Sequence, residues 1–461
     1  MRAREVVRGL AKGMRSSLWG VLAVGLAVGW CGLTKAQGLP GELIPETVAL
    51  RHGLHRRWAA QVHMDAAHDR LIHVTLDRNV LCVQTRNSMA QVVEAETGGT
   101  RWMAQIGTRG APCSELAANE KYVAGTNGTK LYVLDLATGK PMFEKQLDGV
   151  PFAAPAINDT RVFVPMFNGM LISYILDKPK AEPWVYRASG HIIAKPLVTS
   201  KTVVWGTAKG HAYLNELDKV KMRFQLQTNG EIVSPMAERA GVIYVASRDG
   251  YAYAMSETTG QMLWRFSCGS PLDHEPVVVE DMLFLFPAEG SMFAVSADRG
   301  TERWRRSDVK QFLAFRRTDP KYPGLPGCLY VANKAGDTLL LDPETGGLID
   351  KLPTSRLPLK MTNTLNDRLY MATPTGMIQC LHHPALDEPL WHLPVAAAEE
   401  TKPKVPAAPA AGEPADAPAE GAEPDPFEEA APGAAAPAED AAPAEADAPA
   451  EEESPAADEP A

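Results

Sequence analysis

Histidine is the one reactive side chain distributed unevenly along the chain. His52, His55, His63, His68 and His73 put five of the eleven histidines within residues 52–73. His52 and His55, three apart, would offer two ligands to a tetrahedral metal if they lay on a turn or helix and the fold brought in a third. No other ligand spacing is met, so these read as surface and strand histidines, and no metal is expected. A second constellation is Asp273-His274-Glu275, with His191 and Lys195 at comparable positions two repeats earlier. An acid, an imidazole and an amine at one mouth of a channel would make a small polar site, or simply the polar rim of the fold. The motifs of catalysis are missing. There is no H-E-x-x-H, no G-x-S-x-G and no phosphate-binding loop, so no catalytic residue is assigned. Cys31, Cys82, Cys113, Cys268, Cys328 and Cys380 are scattered singly, with no CxxC or vicinal pair. They read as small buried hydrophobes.

The elements that position these residues repeat. Residues 233–266 hold three short β-rich runs, VSPMA, VIYVAS and YAYAMS, then a Thr259-Gly260 turn and a last run carrying Trp264. Four short strands in about 40 residues make one propeller blade. The bulky residue of the last strand recurs as Trp58, Trp102, Phe143, Trp184, Phe224, Trp264, Trp304, Ile349 and Trp391. All but Ile349 are aromatic. The turn ahead of it keeps step as Thr97-Gly98, Thr138-Gly139, Thr259-Gly260, Arg299-Gly300 and Thr345-Gly346, glycine supplying the positive φ that tight hairpins need. Pro155, Pro196, Pro235 and Pro276 precede first strands. Proline lacks the ladder donor and suits an innermost edge strand.

Complete units begin near Ile72, Cys113, Ala153, Lys195, Val233, Glu275, Phe312 and Met361. The spacing therefore predicts an all-β, eight-bladed β-propeller of four-stranded blades over residues 54–396, after a short lead at 37–53. Trp58 is a ninth copy of the last strand with no unit ahead of it. Such a surplus strand can pair into the final blade, where it competes with or flanks the Trp391 strand, and so close the ring against exposed edges.

The pattern A-x-[DES]-x-x-T-G-x-x-x-W, seen as EAETGGTRW (94–102) and MSETTGQMLW (255–264), resembles the pyrroloquinoline-quinone-like (PQQ-like) propeller repeat over residues 54–394. The resemblance implies that each tryptophan docks between neighbouring blades. It spans quinoprotein dehydrogenases and non-catalytic periplasmic propeller scaffolds. The vicinal cysteines, Asp-x-Asp element and CxxCH of the cofactor-bearing members have no counterpart here. No cofactor is expected, with PQQ plus calcium as the alternative.

Both ends differ from the body. Residues 1–36 combine a basic start, a 16-residue apolar run (18–33) and small residues at Thr34 and Ala36. They read as a secretory signal cleaved after Ala36, or as an uncleaved anchor. Lipid attachment at Cys31 would need a small residue where Trp30 stands. Each reading sends the chain out of the cytoplasm, periplasmic or secreted, with membrane association only through this segment. Residues 397–461 are Ala, Pro and Glu/Asp, with 18 acids against Lys402 and Lys404 and Phe427 the lone aromatic. That composition cannot bury a core and predicts a disordered acidic tail, a spacer or a short docking peptide at Pro426-Phe427-Glu428-Glu429. With the acids gathered in the tail, the body is near neutral and offers nucleic acid no basic patch.

The sequence thus reads as an extracytoplasmic, non-catalytic propeller that binds a protein partner in the cell envelope. The alternative is a PQQ- or metal-dependent oxidoreductase with its site in the central channel. An enzyme predicts several carboxylates and a Lys or Arg converging in the channel; a scaffold predicts a small or hydrophobic channel and a broad, partly apolar face of loops.

Overall fold

The computed structural model describes residues 43–392. The expectations for the signal segment (1–36), Cys31 and the acidic tail (397–461) fall outside them. Thirty-two strands form eight four-stranded antiparallel sheets. Blade one runs Leu71–Asp77, Val80–Thr85, Met89–Glu94 and Thr100–Gln105, in spatial as in chain order. Blades two to seven repeat this order, with first strands at Ala117–Ala118, Ala156–Ile157, Leu197–Val198, Ala237–Arg239, Val277–Val279 and Gln311–Arg316. The second and third strands are packed on both sides by neighbouring blades, so VLCV (80–83) and VFVP (162–165) are buried throughout. Outer strands such as Met222–Gln227 alternate between exposed and half-buried. Among the described residues no helix is long and apolar enough to cross a membrane.

The repeat aromatic joins each blade to the next. Trp58, Trp102, Trp264 and Trp304 donate their indole N–H to the carbonyls of Ala95, Leu136, Ala297 and Pro343, each in the following blade. Their rings lie against the turn glycines Gly98, Gly139, Gly300 and Gly346, where any Cβ would run into the indole. Phe224 meets Gly260 in the same way. Trp184 finds the carbonyl of Leu217 with no glycine beneath it, and Phe143 packs with Tyr174 and Leu176. Each glycine has φ near +70°, so it serves the turn and clears the docking surface together. A β-bulge follows the aromatic's pairing position in blades one, two, four, five and six, adding twist where the strand leaves the sheet.

The surplus N-terminal strand closes the ring. His55–Gln61 pairs antiparallel with Met377–His382, opposing Trp58 to Cys380, and completes blade eight with Leu369–Ala372 and Leu359–Lys360. The expectation for Trp391 as a repeat aromatic meets a different outcome: it lies on no strand and is 41% exposed. Its place in the sheet is taken by the strand of Trp58. The chain instead turns back after residue 386, and His392 bonds to the carbonyls of Thr364 and Phe315. Blade seven ends on the exposed Ile349 rather than an aromatic. Its junction with blade eight is filled by the lead: Ile44, Ala49 of the helix Glu46–Arg51, and Leu54 pack with Leu340, Leu352 and Leu381.

Candidate functional site

The first strands line a channel cavity of about 510 Å³ whose charged side chains are Asp77, Glu115, Lys195, Glu275 and Lys360, with Gln311 added from blade seven. Glu115, Lys195 and Glu275 hold one register, two residues ahead of Ala117, Leu197 and Val277, which pair with the second strands of blades two, four and six. Ala154 and Pro235 hold that register in blades three and five. Blade eight contributes Lys360. Sequence reasoning singled out Lys195 and Glu275 but passed over Glu115 and Lys360; comparing charges at equal repeat positions would have found Glu115.

The electrostatics differ around this ring. His73 sits 3.7 Å from Glu115 and holds its carboxyl below the usual range. Glu275 is exposed to the channel but surrounded by protein on its sides, and partial desolvation pushes its carboxyl up to about 7. Lys195 opposes the rise and Glu115 adds to it. Burial pushes the Lys360 ammonium down to about 8; it donates to the carbonyls of Thr354 and Leu357, at 3.1 and 2.6 Å. A carboxyl near neutrality could exchange a proton with a bound solute.

A calcium-bound quinone does not fit here. Calcium takes six to eight oxygens, whereas in this ring Lys195 stands between the two glutamates. Among the described residues no three His, Cys, Asp or Glu side chains are arranged to hold a metal. The N-terminal histidines disperse. His52 bonds Asp350 at 2.7 Å, His68 bonds Asp65, His73 faces Glu115, and His55 lies between Glu46 and His382. The backbone N–H of His63 bonds Gln91.

Other sequence candidates sit on the face bearing the loops that join each blade's last strand to the next blade's first. These loops are tied to the turns between second and third strands: Phe167 N–H donates to Val150, Ala208 to His191, Arg248 to Glu231 and Ala288 to Pro271. Asp273 accepts from Arg248 at 2.7 Å, and Arg248 also pairs with Glu231 at 2.6 Å. His274 is exposed beside the channel mouth with Lys310 and Gln311. His191 is placed differently from the other four: its ring stacks on Phe167 (4.3 Å, 8° between planes) and its Nδ1–H donates to the Phe167 carbonyl. Phe167 in turn packs on Phe152 at 5.3 Å. Val150, Phe152 and Phe167 are 60, 57 and 43% exposed, forming an apolar row on a hydrogen-bonded rim. Gly169 and Gly190, with φ of +83° and +95°, let the loops approach; a Cβ on Gly169 would lie 2.5 Å from the Gly190 carbonyl.

Residues 86–210 and 215–369 match the family of the outer membrane protein assembly factor BamB. The chain belongs to that family. BamB of Yersinia pestis is 19% identical over 250 residues, 49% of this chain and 63% of that protein. The aligned part thus spans under two thirds of that curated relative. Among solved structures, BamB from Moraxella catarrhalis superposes with a TM-score of 0.57 at 17% identity, covering 71% of this chain and 97% of that one. The designed Ika8 protein gives 0.56 at 12%, covering 70% and 98%. These two likenesses show the fold alone. The PQQ-like repeat read from the sequence and the BamB family describe one propeller.

Proposed function

We propose that this protein is an extracytoplasmic scaffold that seats a protein partner on its loop face and works in the assembly of outer-membrane proteins. The observation that carries this reading is the row Val150, Phe152, Phe167 and His191. Exposed aromatics on a preorganised surface are the usual anchors of protein interfaces. The name borne by the family supports the assembly role, and the basic-apolar N-terminal segment supports the envelope location. The channel carboxylates and lysine meet the expectation stated for an enzyme, but among the described residues they belong to no metal-holding cluster. They support solute binding better than turnover.

The test is crosslinking in the envelope with the full chain and with a Phe152→Asp, Phe167→Asp variant. Both side chains are largely exposed, so the thermal midpoint should hold within a few degrees. The partner crosslink should fall about tenfold or more, as for loss of a central anchor pair. An unchanged crosslink pattern with a folded variant would move the docking surface elsewhere.

A further inference from the structure

We propose that the channel binds a small zwitterion, an amino acid or dipeptide carrying one primary ammonium and one carboxylate, between Glu275 and Lys195. Most charges in the channel are already answered. Glu115 faces His73, the Lys360 ammonium is donated to two backbone carbonyls, and Asp77 Oδ2 accepts from the Ala118 N–H. Lys195 and Glu275 are different: among the described residues neither side chain has a hydrogen bond or an ion pair within 4.0 Å. The blades hold them two units apart, so they cannot neutralise each other directly. Lys195 is half-buried and Glu275 opens on the channel, so a ligand in the channel can reach both charges. A simple anion would answer Lys195 and leave Glu275 bare, and a simple cation would do the reverse. A molecule with both charges answers both.

The space fits such a ligand. The 510 Å³ cavity is within the range of small-molecule sites, about 300–1,000 Å³. It shares Glu115, Glu275, Gln311 and Thr362 with a side pocket of about 390 Å³ whose wall includes Val277, Phe286 and Phe312. That wall would receive an apolar side chain. The Gln311 amide is fixed by donation to the Lys360 carbonyl and Thr362, so the wall on the blade-seven side of Glu275 is held in place. The raised Glu275 carboxyl gives the site a pH signature: bound ammonium favours the ionised form, so binding near neutrality releases protons.

The experiment is calorimetric titration of the full chain at pH 7 and at pH 8 with three probes: glycylglycine, acetylglycine and ethylamine. Glycylglycine should bind saturably, and the two probes lacking one charge at least about tenfold more weakly. Glu275→Gln keeps the shape, so it should fold as the parent does; it should weaken glycylglycine about tenfold and abolish the proton release seen near pH 7. Lys195→Met should weaken it similarly. Absence of glycylglycine binding, equal affinity for all three probes, or an unaltered Glu275→Gln variant would each overturn the proposal and leave the channel charges answered by water. None of these outcomes depends on the loop-face partner, because the probes are small and the partner is absent.

Discussion

At the scale of single residues, the turn glycines carry two duties that separate cleanly in Gly139 and Gly110. Both adopt the left-handed region, with φ of +71° and +75°. A side chain on Gly110 meets open space, whereas on Gly139 it lies 2.5 Å from the Trp102 indole. Gly110→Ala should therefore cost about 1–2 kcal/mol, the left-handed penalty alone. Gly139→Ala should cost about 3 kcal/mol or more, since the displaced ring also strains its 2.7 Å bond to the Leu136 carbonyl. Urea midpoints of the two variants measure the difference, and equal losses would mean that docking adds nothing. The sequence shows why these glycines turn the chain but not what they face, because the indole arrives from a residue one blade earlier. Phe152 and Phe167 escaped notice for a related reason. They are aromatics out of step with the repeat period, so periodicity carries no signal for them.

At the scale of elements, ring closure is where spacing left two answers open. The segments around Trp58 and Trp391 both carry an aromatic at the repeat spacing, one ahead of the first unit in the chain and one after the last. Their hydrogen bonding separates them. The N-terminal strand pairs through six registered positions with Met377–His382, and Arg57 and Arg368 both donate to the Asp387 carbonyl. Glu96 of blade one lies within 3.5 Å of both guanidiniums. The C-terminal segment is left to cross toward Phe315. Trp58→Ala should cost about 3–5 kcal/mol through lost burial and cavity formation, and Trp391→Ala less than about 0.5 kcal/mol. Chemical unfolding of the two variants checks this, and comparable losses would show the C-terminal segment sharing the closure. The lead was legible only as a short segment before the propeller. That its Ile44, Ala49 and Leu54 fill the seam left by Ile349 is a contact between chain ends over 300 residues apart, beyond any local pattern.

At the scale of the whole molecule, the strand that closes the ring brings His55 against His382 of its neighbour in blade eight, and His382 predicts an acid-sensitive closure. His382 is buried; its Nδ1–H donates to the Leu386 carbonyl, and its Nε2 faces His55 Nδ1 at 3.4 Å. Burial, with Arg368 next in effect and His55 and Arg57 adding to it, pushes its imidazole down to about 4, against the bond to Leu386. Glu46 stands on the far side of His55 at 3.3 Å. A histidine depressed in the folded state binds fewer protons there than in the unfolded chain between about pH 4 and 6.5. Stability from this group therefore rises with pH across that window and is lost on acidification. Glu275 works the other way. Its raised carboxyl binds more protons in the folded state between about 4.5 and 7, so its contribution falls as pH rises. The two slopes oppose each other, and substitution separates them. His382→Gln should flatten the acid side, making the variant's stability loss from pH 6.5 to 4 smaller than the parent's by about 2–3 kcal/mol. Thermal midpoints taken across that range, with proteolysis between residues 43 and 62 as a reporter of the released strand, would show the parent opening at its latch first. Parallel pH profiles for parent and variant would place the acid sensitivity in some other group, and the ring would then be closed by packing and the Arg368 cluster alone.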